Sequence, residues 1–249
     1  MTSQQLDNIK LITASLEKFG ITNKNLQAGI LATISKESNF IPQSENLNYS
    51  YDNIKRVWPQ TSDVDAKRLA KNPVALGDFK YGNKGGNAAN EGYKYRGRGF
   101  NQITFKSTYK SIGDKIGYDL VSNPDLLNDP KVAADAVAVF FSGELKAGDK
   151  AGSFKKFGVT DTSAVNDTLT ATKVAIQINA GRGTNFNNGV VQEGYNKAKS
   201  VVDSLYETIK GYTTEVAETV KKKPLLVAIA VIGMVGALII ILKTVKQSK

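Results

Sequence analysis

The sequence contains no cysteine and no histidine. Without cysteine there is no disulfide framework, no thiolate zinc site, no iron–sulfur cluster and no thiol nucleophile. Without histidine there is no Ser-His-Asp triad, no Cys-His dyad and no imidazole acid or base. Hydrolytic chemistry in this chain therefore rests on carboxylates, or on lysine or tyrosine. A metal site of oxygen ligands alone stays open. No signal-peptide leader is expected from the first residues. Met1 to Gly20 is polar and charged, unlike a signal peptide.

What is present is a charge imbalance. Lysine and arginine number 33 against 23 acidic residues, a net charge of +10. Such a chain favours polyanions: nucleic acid, anionic lipid or acidic wall polymer. The basic residues are spread along the chain rather than gathered in one arm, so no specific nucleic-acid partner is expected. A hydrophobic fraction of 41% suits a globular core and excludes wholesale disorder.

The chain divides into a globular part over 1–200, a connecting segment over 201–223, an apolar segment over 224–243 and a short basic tail over 244–249. Leu225 to Leu242 carries no charge or strong polar group. As a helix it would be about 27 Å long, near the thickness of a bilayer core. Lys221, Lys222 and Lys223 precede it, and Lys243, Lys246 and Lys249 follow. A single C-terminal transmembrane helix is expected, with the lipid bilayer as partner. Basic flanks on both sides leave its orientation open. Ala230, Gly233 and Ala237 lie near one face and would suit a helix partner in the membrane. In the connecting segment Val201, Val202, Leu205, Ile209, Tyr212, Val216 and Val220 recur mainly at spacings of three and four. That predicts an amphipathic helix or stalk, with Gly211 as a break.

The globular part reads as mainly α. Leu6, Ile9, Leu11, Ile12 and Leu16 predict a first helix ending at Gly20. Asn25 is expected to cap a second, running from Leu26 to the neighbourhood of Glu37–Phe40 before Pro42. Pro130 opens an alanine-rich helix, and another begins at Thr170. Residues 77–99, rich in glycine, asparagine and tyrosine, predict a loop or short hairpin.

Four features could carry chemistry. Glu37 ends an apolar helix, where a carboxylate sits beside the core and the helix's negative end; these surroundings suit a proton donor. Position alone favours a surface glutamate beside Lys36. Glu45 follows eight residues later, and a loop could turn it across a cleft from Glu37. Paired carboxyls on either side of a sugar are what glycoside hydrolysis needs. Tyr93 to Thr104 (YKYRGRGFNQIT) mixes glycines that permit close approach with aromatics and amides that can hold a sugar. Ile178-Asn179-Ala180-Gly181-Arg182-Gly183 is a helix end with a glycine turn, a C-cap by default.

Taken in order, the KES helix end, ENLNYS, VWP at Val57–Pro59, Tyr81-Gly82-Asn83, YRGRGFNQIT, NPDLLNDPKVAADAV from Asn123, and INAGRG resemble glycoside hydrolase family 19. The likeness covers roughly residues 5 to 200 and is nearest to the phage endolysins and chitinase-like enzymes of that family. It implies a two-lobed, lysozyme-like helical fold. It also implies cleavage of a β-1,4 linkage between amino sugars with inversion and without metal. The resemblance gives Glu37 the role of general acid, although Lys36 stands where the family often has histidine. The ENLNYS match favours Glu45 as the second carboxylate, with Glu91 as its competitor. Tyr49, Ser50, Tyr95, Gln102 and Asn179 match positions that would line the cleft or hold the water. Two positions depart from the family pattern: Asn101 replaces the usual isoleucine, and Phe105 a frequent glycine.

The basic charge points to peptidoglycan as substrate, with chitin as the alternative. A wall hydrolase fixed to a bilayer by its C-terminus would suit a phage that carries its own membrane, opening the wall locally at entry. Otherwise it would sit in the host cell membrane. The competing class is an inactive wall-binding or membrane-scaffold protein of a virion that keeps the lysozyme-like fold.

Overall fold

In the computed structural model the described residues are 1–142, 152–180 and 189–211. They are mainly helical. Helix α1 spans Ser3–Lys18, α2 Lys24–Ser38, α3 Tyr51–Val57, α4 Asp63–Leu69 and α5 Pro73–Tyr81. Then come α6 at Lys106–Ile116, α7 at Pro130–Ser142, α8 at Thr168–Ala180 and α9 at Gly189–Lys199. The chain is helical again over 202–211. Among the described residues there is no strand, only an isolated antiparallel bridge between Arg98 and Ile103.

The chain divides into two units, Met1–Tyr206 and Glu207–Lys249. The second unit is described only through residue 211. The expected membrane segment, Leu225–Leu242, its basic tail and Gly181-Arg182-Gly183 lie outside the described residues. Within those that are described, no helix is long and apolar enough to cross a membrane.

In the first unit, α2 is the central helix. It packs on α8 and α9, while α1 packs on α7. Its apolar residues are buried all round, from Leu26 through Ile34, as expected for a helix covered on more than one side. Gly29 makes the approach to α8 possible. A Cβ there would lie 2.6 Å from the Ala171 carbonyl carbon and 2.7 Å from the Thr172 nitrogen.

The cap of α2 is Asn23, not Asn25. The Asn23 side chain accepts from the Leu26 N–H at 3.1 Å. Asn25 instead sits in the first helical turn and donates to the Val165 carbonyl. At the other end, α2 stops at Asn39 and Phe40, with φ of 50° and 61°. Consecutive left-handed residues other than glycine are strained, at about 1–2 kcal/mol each. Helix α1 holds them in place. Gln5 donates to the Asn39 carbonyl at 3.1 Å, and buried Asn8 to the Phe40 carbonyl at 2.7 Å.

Helices α3 to α5 surround a core of their own, made by Leu47, Ile54, Ala66, Leu69 and Leu76. This small cluster is separate from the one built on α7. Another cluster joins Tyr95, Tyr109, Ile112 and Leu127 to the inner face of α7. The expected loop over 77–99 is partly helix, because α5 runs on to Tyr81; Pro73 at its start and the Asn72 cap set it off early.

Candidate functional site

Glu37 occupies the last turn of α2. Its carboxylate is partly exposed and paired with Lys36. The neighbour in sequence is thus also the neighbour in space.

Glu45 sits in the loop that leaves α2, and that loop is fastened to the segment 96–102. The Glu45 N–H donates to the Gly97 carbonyl at 2.8 Å, and the Arg96 guanidinium donates to the Glu45 carbonyl at 3.2 Å. Gln102 donates to the Gln43 carbonyl at 3.1 Å, and Asn128 to the Ser44 hydroxyl at 2.9 Å. The Glu45 carboxylate is aimed by Tyr81. The Tyr81 hydroxyl reaches its two oxygens at 2.9 and 3.0 Å, and the Gly97 N–H reaches one of them at 3.4 Å. A Cβ at Gly97 would stand 2.7 Å from the Gln102 amide oxygen and would push that side chain aside. Burial first, and then the Glu45 charge, push the Tyr81 phenol well above its ordinary value. It therefore acts as a fixed donor to the carboxylate.

Glu91 has other work. It accepts from the Ala88 N–H and pairs with Lys106 at 2.9 and 3.0 Å. The Ala88 N–H, and after it Lys106, hold its carboxyl below the usual range. Its bonds close the 88–106 loop.

The remaining expected residues separate. Tyr49 is half-buried, edge-on to Trp58 with ring centroids 5.4 Å apart. Ser50 caps α3, accepting from the Asn53 N–H. Tyr95 does not line a cleft. It is fully buried, packs edge-on against Tyr109 and donates to the Val121 carbonyl. Gln102, at φ 55°, seats the Glu45 loop. Asn179 ends α8 half-buried, and its Oδ1 accepts no hydrogen bond.

The RGRG arginines are consumed internally. Arg98 is 3% exposed, donates to the Lys94 carbonyl and the Tyr109 hydroxyl, and pairs with Asp125 at 2.8 Å. Arg96 lies over the Tyr93 ring at 4.0 Å. Neither presents the free fork that a nucleic acid would need.

Phe105 stands at φ 77°, a conformation that glycine adopts without strain. Its ring meets Tyr81 edge-on at 5.8 Å. Asn101 is 5% exposed, and neither end of its amide has a hydrogen-bond partner.

Tyr81 was not singled out by sequence reasoning as a partner of Glu45. It lay inside a recognised motif, but its contact with Glu45 spans 36 positions. No group of three acidic side chains suited to a metal occurs among the described residues. A cavity of about 440 Å³ beside Lys110, Tyr118 and Asp119 contains none of the expected site residues.

Comparison with known proteins bears on the same segment. The family model for glycoside hydrolase 19, chitinase class I, matches residues 71–212. Glu37, Glu45, Tyr49 and Ser50 precede that match. A glycosyl hydrolase family 19 domain-containing protein of Haemophilus influenzae is 36% identical over 115 residues, 44% of this chain and 58% of the relative. Chitinase 11 of Oryza sativa subsp. japonica is 47% identical over 47 residues, 19% of this chain and 18% of its own length. The matches thus cover less than two thirds of these relatives. Chitinase C from Streptomyces griseus aligns over 81% of this chain and 92% of its own, with 18% identity and a TM-score of 0.42. The family model covers more than half of the sequence, and the chain belongs to glycoside hydrolase family 19.

Proposed function

We propose that the protein hydrolyses the β-1,4 bond between amino sugars of peptidoglycan, with Glu37 as general acid and Glu45 as general base. One observation carries this reading. Two carboxylates flank the start of the same loop in different settings, one partly exposed at a helix end and one aimed by Tyr81 and Gly97.

The chemistry follows from those settings. Substrate bound over Glu37 displaces Lys36; the carboxylate, parted from its ammonium, takes up a proton from solvent and delivers it to the leaving glycosidic oxygen. Positive charge develops on the sugar ring. Glu45, its oxygens fixed by the Tyr81 hydroxyl, removes a proton from water on the opposite face, and the anomeric carbon inverts. The free Oδ1 of Asn179 is an acceptor for a sugar hydroxyl or acetamide N–H. Membership of family 19 and the ties of Tyr81 and Gly97 to the Glu45 carboxylate support this reading.

The substrate is peptidoglycan because of the net charge of +10. Chitin is the second reading, favoured by the name of the rice relative. The run Leu225–Leu242 would anchor the enzyme in a bilayer, as in a phage with an internal membrane. Its uniform hydropathy and flanking lysines support that part.

Digestion of purified peptidoglycan and of chitin, with mass analysis of the borohydride-reduced ends, tests the activity. Reduced N-acetylmuramic acid ends are expected. Release of chito-oligomers alone would move the assignment to chitin, and wall binding without new ends would make the protein a binding module. Flotation of the full chain with lipid vesicles, lost on deletion of 224–243, tests the anchor.

A further inference from the structure

Lys80 stands beside Tyr81 at the end of α5, and its ammonium lies 4.1 Å from the centroid of the Trp58 ring. Trp58 in turn meets Tyr49 edge-on. The next residue, Tyr81, donates to Glu45. A cation on an aromatic shelf therefore adjoins the residue that aims the proposed base.

Other lysines near the site have partners. Lys36 pairs with Glu37 and Lys106 with Glu91. Lys84 donates to the Lys80 carbonyl. Among the described residues Lys80 has the Trp58 ring and no carboxylate in ion-pair contact. Partial burial, with Lys84 nearby, lowers its pKa, against the opposing pull of the Glu45 charge. A half-desolvated ammonium held on a ring gains more from an incoming anion than one in open water.

We propose that Lys80, seated on Trp58, receives a carboxylate carried by the wall glycan next to the scissile bond, and so makes the site select acidic glycan over neutral chitin. The inference deepens the hydrolase reading and rests on it. The carboxylate has two sources, the lactyl group of muramic acid once the stem peptide is removed, or the stem peptide itself. Neutral chito-oligomers offer neither.

The test measures binding of the full chain to four probes. They are peptide-free glycan strands, the same strands with lactyl carboxylates converted to carboxamides, peptide-bearing strands, and a chitin hexamer. For the unsubstituted protein, a preference for charged over amidated strands of about fivefold is expected, the size of a favourable ion pair. Lys80→Met should bring that ratio close to one, and Lys80→Arg should retain it. Lys131→Met, which removes the same charge from an exposed position on α7, should leave the ratio in place. A preference confined to peptide-bearing strands and lost in Lys80→Met would assign the carboxylate to the stem peptide. Equal binding of charged and amidated strands, together with no preference for peptide-bearing strands, overturns the proposal without any variant. A preference that survives Lys80→Met, or falls as much in Lys131→Met, overturns it too. Turnover on the same strands separates the two readings. Lys80-dependent selection without cleavage sinks the hydrolase reading, whereas cleavage without charge selection sinks only the role of Lys80.

Discussion

Gly29→Ala tests the packing that carries both the Glu37 helix and the Asn179 helix. The added Cβ would sit 2.6 Å from the Ala171 carbonyl carbon, 2.7 Å from the Thr172 nitrogen and 2.8 Å from the Ala171 oxygen. All three atoms are backbone, so no side chain can swing away. Non-bonded carbons prefer about 3.5–4.0 Å, and α2 and α8 must separate by about 0.9 Å. Overpacking of this kind costs about 3 kcal/mol at its upper end. Alanine returns about 1 kcal/mol through better helix propensity. The net loss is about 2 kcal/mol. With an m-value of about 4–5 kcal/mol/M in guanidinium, the midpoint falls by about 0.4–0.5 M. Gly194→Ala on α9 is the matched control. Its Cβ would first meet the Lys36 ammonium at 3.4 Å and Ile176 at 3.5 Å, ordinary contacts. That variant should gain about 1 kcal/mol. Guanidinium unfolding followed by circular dichroism measures both. A Gly29→Ala midpoint at or above that of the parent protein would refute the close approach of α2 and α8.

Three further outcomes are expected. Tyr81→Phe removes the hydroxyl donor to Glu45, so kcat on wall glycan should fall about tenfold with little change in KM; an unchanged kcat would show that Glu45 needs no such aim. Asn8→Ala leaves the buried Phe40 carbonyl without its donor, which should cost about 1–3 kcal/mol in denaturant titration; a loss under about 0.5 kcal/mol, no more than an ordinary surface substitution, would place the strained turn's support elsewhere. In alkali, burial keeps the Tyr109 phenol protonated up to about 12, above its ordinary 10.0, with Tyr81 higher still. The folded chain then holds protons that the unfolded chain releases, so stability falls as pH rises past about 10, by about 1.4 kcal/mol per pH unit for each tyrosine; Tyr109→Phe should halve that slope up to about pH 12, and an unaltered slope would count against it.

The long helices were legible because their cores repeat at helical spacing over many turns. Ile9, Ile12 and Leu16 share one buried face of α1, and the alanine-rich α7 is apolar and buried on more than one side. Helices α3 and α4 were not legible. Each has seven residues and buries only one or two, too few for a period to show. Pattern placed Glu37 and Glu45 near one another along the chain, but Tyr81 joins Glu45 only through the tertiary fold. Tyr95 misled for the opposite reason. An aromatic among glycines suits a sugar platform and a core equally, and the Val121 carbonyl that satisfies its hydroxyl lies 26 residues away. Phe105 was visible as a departure from the family, yet its positive φ appears only in the backbone. Its ring, against Tyr81, lends bulk behind the Glu45 donor.

The central claim is that Glu37 gives up the proton that breaks the glycosidic bond. Glu37→Gln keeps the side chain's shape and removes that proton. Release of reducing ends from peptidoglycan should fall at least a hundredfold, in the range of lost general acid catalysis at about 10²–10⁴, while the unfolding midpoint and wall binding stay at the parent values. A Glu37→Gln protein that still releases ends at the parent rate would contradict the account.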